Sequence, residues 1–300
     1  MKFWTRDKFR GTAALKRKIN PTRVPIETKE SYRWLENLRQ SGALIGEPGR
    51  CVHIGDRESD IYELFCLASE LRTSFLVRVQ TDRLAGAGDH TVAAVMANEP
   101  PCAAHVVEIC NDKGDAVTVT LDVKFRAIHV LPPIGKQKRY PPLTLTYIHA
   151  RERDQPTDRD RVEWRLVTNL PVRSAEQAIE KLSWYALRWK IEVFHKIMKS
   201  GCRAEEVKLR TAERLVNLLA VFCILSWRVF WVTMSSRAAP EAPPELALTS
   251  LEVKILDRLI PDTLSNQGSP RGLAFYTNKI ARLGGYLNRT RDPPPGYIVM

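Results

Sequence analysis

The sequence predicts an α/β fold, and three observations carry the prediction. The first is a strand–helix–strand unit: apolar Cys51–Gly55, a helix running to Arg72 with Ile61, Leu64, Phe65 and Leu71 inward, then the strand Ser74–Val79. The second is a change to period two between about Asp82 and Leu170. Val117, Val119, Leu121, Val123 and Phe125 alternate there with Thr118, Thr120, Asp122, Lys124 and Arg126. The third is a pair of long helical patterns near the C-terminus, Ser174 to about Lys199 and Ala212 to Met234.

The elements follow in order. Met1–Lys18 is densely basic and leads into the proline-spaced Pro21–Glu27. Tyr32, Leu35 and Leu38 give helical spacing from about Lys29 to Ser41, and Gly42–Gly49 is a turn-rich connection. The period-two stretches are antiparallel sheet material, with Pro132, Pro133, Pro141 and Pro142 at its turns. They form a β insertion between two parts of the α/β core. Ser174 and Gln177 make a capping box opening the first long helix, which Gly201 ends. Pro240–Pro244 is a linker, and a short helical region lies near Ile280–Asn288.

Composition narrows the partner. The chain is 44% apolar and 27% charged, ordinary for a folded protein, but its net charge is +12. That surplus favours a polyanion, either nucleic acid or an acidic membrane surface. Six cysteines are scattered without Cys-x-x-Cys spacing, against both a zinc site and a disulfide framework. The first residues lack the apolar run of a secretory signal. Leu215–Met234 is long and apolar, yet Arg228 in its middle favours a buried core helix over a membrane span.

Two segments carry candidate chemistry. Tyr185, Arg188, Glu192, Lys196 and Lys199 sit at offsets 0, 3, 7, 11 and 14, which on a regular helix is one narrow stripe. Leu187, Ile191, Phe194, Ile197 and Met198 fall opposite as a core face. A surface ladder of ion pairs would give the same pattern. In Gly55-Asp-Arg-Glu-Ser-Asp-Ile61, Asp56 ends an apolar strand, where open α/β sheets place ligands. Asp56 also suits a plain helix cap.

Together, Asp-Arg-Glu-x-Asp-Ile at 56–61 and Tyr-x2-Arg-x3-Glu-x6-Lys at 185–199 resemble the insertion-sequence-four family of DDE transposases. The resemblance extends to Ile280–Gly285. It implies a ribonuclease-H-like core, incomplete at its N-terminus in this chain, with an antiparallel β insertion and a C-terminal helical region. The implied divisions are 1–81 (partial core), 82–170 (β insertion), 171–236 (catalytic and core helices) and 237–300 (partial dimerisation region). The implied activity is metal-dependent cleavage and strand transfer at transposon ends. Two Mg²⁺ or Mn²⁺ ions about 3.5–4 Å apart would be held by three carboxylates. Asp56 matches the second carboxylate and Glu192 the third. Arg78, Tyr185, Arg188, Lys196 and Lys199 match phosphate contacts, and a guanidinium is suited to bidentate phosphate binding. Trp164 matches the tryptophan that stacks on a flipped base, and Trp189, flanking the polar stripe, would assist it; alone, Trp164 reads equally well as an ordinary strand aromatic.

The implied partners are DNA, as transposon end and target, and a second copy in a homodimer. No membrane is implied, and the setting is the bacterial cytoplasm and nucleoid. The family's first aspartate is expected on a strand ahead of Lys2–Gly11, so cleavage by this chain alone is expected to be impaired. Asp7 is the one early candidate, and Glu58 and Asp60 would substitute only if the neighbouring helix turned. A sheet lacking its first strands is also expected to expose an edge. A catalytically dead DNA-binding or dimerising remnant that inhibits transposition is the alternative; an unrelated ribonuclease-H-like nuclease would need neither the stripe nor Trp164.

Overall fold

The computed structural model describes residues 24–110, 116–261, 271–289, 292, 295 and 296. These fall into two compact units, one up to Arg188 and the other from Trp189 onward.

The first unit is built on a mixed sheet of eight strands. Helix α1 (Tyr32–Ile45) precedes β1 (Val52–Gly55), a short 3-10 turn (Arg57–Ser59), α2 (Tyr62–Glu70) and β2 (Ser74–Arg78). The strand–helix–strand expectation is therefore met, with β1 and β2 parallel. The α1 helix runs past Gly42 to Gly46, whose φ of 73° supplies the left-handed C-cap. Gly42 is buried in that helix and is no breaker, contrary to the turn-rich reading.

The period-two segment forms β5 (Ala103–Cys110), β6 (Ala116–Val130), β7 (Leu143–Glu152) and β8 (Glu163–Thr168), after two short strands, β3 (Leu84–Ala85) and β4 (His90–Thr91), and α3 (Val92–Ala97). Strand β8 lies between β2 and β7, so this antiparallel part is hydrogen-bonded into the same sheet as the parallel pair. One face carries Leu76, Leu121, Val123, Ile148, Ala150 and Leu166, covered by α4 (Ala175–Ala186) through Ala178, Leu182 and Tyr185. The other face is covered near β1 and β2 by α1 and α2, through Leu38, Leu64 and Phe65, with Phe75 of β2 beneath them. Ser174 caps α4 through its Oγ, which accepts the Gln177 N–H at 3.3 Å; Gln177 reaches back to the Arg173 N–H at 2.8 Å.

The expected single helix from Ser174 to Lys199 is three pieces: α4, a 3-10 turn at Leu187–Trp189, and α5 (Lys190–Lys196), which runs into a π turn at Ile197–Gly201. A 3-10 turn has fewer residues per turn than an α-helix and a π turn more, so a fixed angular step fails across both. The expected core face is met at Ile197, which is buried, and not at Leu187 and Ile191, which are 49% and 48% exposed.

The second unit contains α5, α6 (Ala212–Ala238), α7 (Ser250–Leu259) and α8 (Leu273–Leu283). Its core joins Val232, Leu248, Leu256, Leu273 and Tyr276. Thr249 and Glu252 form a capping box on α7, and Arg228 of α6 donates to both Glu252 oxygens at 2.8 and 3.0 Å. Helix α6 is the one described helix long and apolar enough to cross a membrane. It is not the buried core helix its apolar run predicts. Small or polar Cys223, Ser226, Thr233 and Ser236 are buried, while Ile224 and Trp227 are 67% and 52% exposed.

Candidate active site

Register places Asp56. Ile54 pairs with Leu76 and Gly55 with Val77, so Asp56 and Arg78 are each the residue after the last registered pair, at the carboxyl ends of two parallel strands. Alternation along β2 and β8 puts Arg78 on the same face as Leu76, Leu166 and Trp164, the face that α4 covers. The backbone turns sharply after β1. A Cβ on Gly55 would lie 2.5 Å from Ser59 Oγ, so only glycine allows the 3-10 turn to fold this closely against the strand end.

Asp56 caps that turn: its Oδ1 accepts the Glu58 N–H at 3.1 Å. Arg78 is half-buried and donates from Nη2 to the Glu163 carbonyl at 3.2 Å. Tyr185, expected as a phosphate contact, is only 5% exposed. The reason lies in Ala178, Leu182 and Tyr185, spaced by four and three residues, which make the buried stripe of α4. Trp164 is half-buried, with its ring edge-on to Tyr185 at 6.0 Å. Its position is that of a strand aromatic packed on the core cluster. Arg188 stands over the Tyr185 ring at 5.9 Å, so the buried phenol is the platform for a partly exposed guanidinium.

Glu192, Lys196, Lys199 and Trp189 belong to the second unit and are exposed. Lys199 pairs with Glu205 at 2.8 Å. Asp7 lies outside the described residues. Glu58 is held by Arg33 at 2.8 Å. Asp60 is not available as a substitute ligand. Its buried carboxylate meets Arg83 at 2.5 Å and accepts the Gln80 and Thr81 N–H groups, both at 2.7 Å. Arg83 also donates to the Asp60 and Thr81 carbonyls, at 3.1 and 3.2 Å, and lies over the Phe65 ring at 5.0 Å. Asp60 thus ties the turn that Asp56 caps to the exit of β2.

Among the described residues, no group of three or more His, Cys, Asp or Glu side chains is placed to hold a metal ion. Asp56 is a hard oxygen donor of the kind that Mg²⁺ or Mn²⁺ takes. No protein-family model matches the chain.

Proposed function

We propose that this chain is part of a DDE-type DNA transposase with a ribonuclease-H-like core, and that it works on phosphodiesters of duplex DNA. The observation that carries the reading is the register of β1 and β2, which sets a carboxylate, Asp56, and a cation, Arg78, at parallel strand ends. Arg188 lies at the end of the helix covering the same face. Arg78 and Arg188 orient a phosphate by charge-assisted hydrogen bonds, and Asp56 stands at the same strand end with its Oδ1 on the Glu58 N–H. Metal ions held by a complete carboxylate set would supply activation of the attacking oxygen and relief of charge on the leaving one. The β1 edge away from β2 pairs with no strand among the described residues.

The test is metal-dependent nicking of a labelled duplex carrying a transposon end. The chain alone is expected to give little or no product. Adding an Asp56-defective longer transposase as partner is expected to restore nicking, and Asp56→Asn in this chain is expected to abolish the restored activity. Strong nicking by the chain alone that survives Asp56→Asn would sink the assignment. A second reading, a DNA-holding protein without catalysis, is favoured by the commitment of Asp56 Oδ1 to capping its own turn.

A further inference from the structure

The face of β6, β7 and β8 that turns away from Trp164 carries an arrangement the resemblance does not use. Register aligns Lys124, His149 and Arg165 in one row across the three strands, and Asp122, Arg151 and Glu163 in the next. Each acid on this face already has a partner. Glu163 accepts from His149 and from Arg165, both at 2.8 Å. Asp122 is held by Arg153 at 2.7 Å, and Glu99, facing it from the α3 side, is held by Arg126 at 3.0 Å. Asp82 accepts the Ala93 N–H at 2.9 Å. Lys124 and Arg151, diagonal neighbours on adjacent strands, have no hydrogen-bond or ion-pair partner among the described residues. As diagonal neighbours they stand about 7–8 Å apart by strand geometry, with their Cβ atoms somewhat closer, within reach of two phosphates of one backbone.

A groove of about 380 Å³ lies along this face, with Val92, Ala93 and Met96 of α3 as one wall and Lys124, Arg151 and Arg165 on the other. Lys124, Arg151 and Arg165 against Asp82 and Glu163 leave the groove lining one positive charge in surplus, and a phosphate backbone is its complement. The opposite face offers no such surface, because it is packed under α4.

We infer that Lys124 and Arg151 form a second phosphodiester track, which holds a DNA backbone along the open face of the sheet, separate from the Asp56–Arg78 strand ends. The inference rests on the proposed DNA chemistry and deepens it by naming where a further length of duplex lies.

The test is fluorescence anisotropy of a labelled random-sequence duplex with the full chain, at several salt concentrations. Lys124→Gln and Arg151→Gln are each expected to weaken binding about 3- to 10-fold and to lower the salt slope by about one. Lys124→Arg is expected to restore affinity. Lys124 is half-buried and Arg151 exposed, and neither has a partner to lose among the described residues, so melting temperatures should change little. A double variant with wild-type affinity and slope overturns the track, as does wild-type chain that binds no duplex. Competition by inorganic phosphate at constant ionic strength would also overturn it, by making the groove a single-ion site. Arg188→Ala separates the two ideas. If it weakens binding while the double variant does not, the track fails and the strand-end site stands; the reverse result leaves the track and removes Arg188 from phosphate binding.

Discussion

The two faces of β6, β7 and β8 differ more than their shared alternation suggests. One face stacks Leu121, Val123, Ile148, Ala150 and Leu166 against α4 and buries them. On the other, the same three strands carry Lys124, Arg126, His149, Arg151 and Arg165. That second face is itself divided. Toward Val130 and Leu145 it is apolar and covered, while toward Asp122 it is open and charged. Tyr147 and the buried Asp60–Arg83 pair stand at this border. A single sheet thus supports dry packing, a sealed polar latch and a wet cationic groove, and helix coverage decides which is which.

The latch should give the largest effect when broken. Asp60→Ala leaves Arg83, 5% exposed at its side chain, with an unpaired charge and removes the acceptor for two backbone N–H groups. A loss of about 3–5 kcal/mol in urea unfolding is expected; a loss below about 1 kcal/mol would show that the border is not sealed. Next comes the dry face. Leu121→Ala, at a position with 0% exposure, should cost about 2–5 kcal/mol by lost transfer energy and cavity formation.

A smaller effect is expected from pH. Burial pulls His149 and His53 below the ordinary histidine range, and in His149 the Glu163 carboxylate only partly opposes this. Both stay neutral in the folded chain when the unfolded chain begins to take up protons. Stability is therefore lost as pH falls below about 6.5, and this loss is absent above neutrality. His149→Gln should flatten the fall of melting temperature between pH 7 and 5.5; an unchanged profile would show that His149 is solvated. The smallest effect belongs to the wet face. Lys124→Gln should change stability by no more than about 0.5 kcal/mol, and a larger loss would mean that Lys124 supports the fold.

Much of the sheet was legible because alternation is local. The period-two strands, the strand–helix–strand unit of β1, α2 and β2, and the Ser174 cap all follow from neighbours in sequence. The π turn at Ile197–Gly201 was not legible, since nothing in its composition departs from an ordinary helix. Tyr185 was misplaced for a related reason. Its spacing from Ala178 and Leu182 signals a buried stripe as clearly as its spacing from Arg188 signals a polar one. Lys124 and Arg151 give no signal in the sequence, because a polar residue in a period-two strand looks like any solvated position.

By itself, then, the sequence determined the α/β class, the basic character and the placement of Asp56 at a strand end, since each depends on residue type and short-range period. Only the tertiary structure decided which side of the sheet is dry, that Asp60 is locked to Arg83, and that Lys124 and Arg151 have no partner among the described residues. Those depend on which helix covers which face and on contacts between residues such as Asp60 and Gln80, 20 positions apart, which no local pattern encodes.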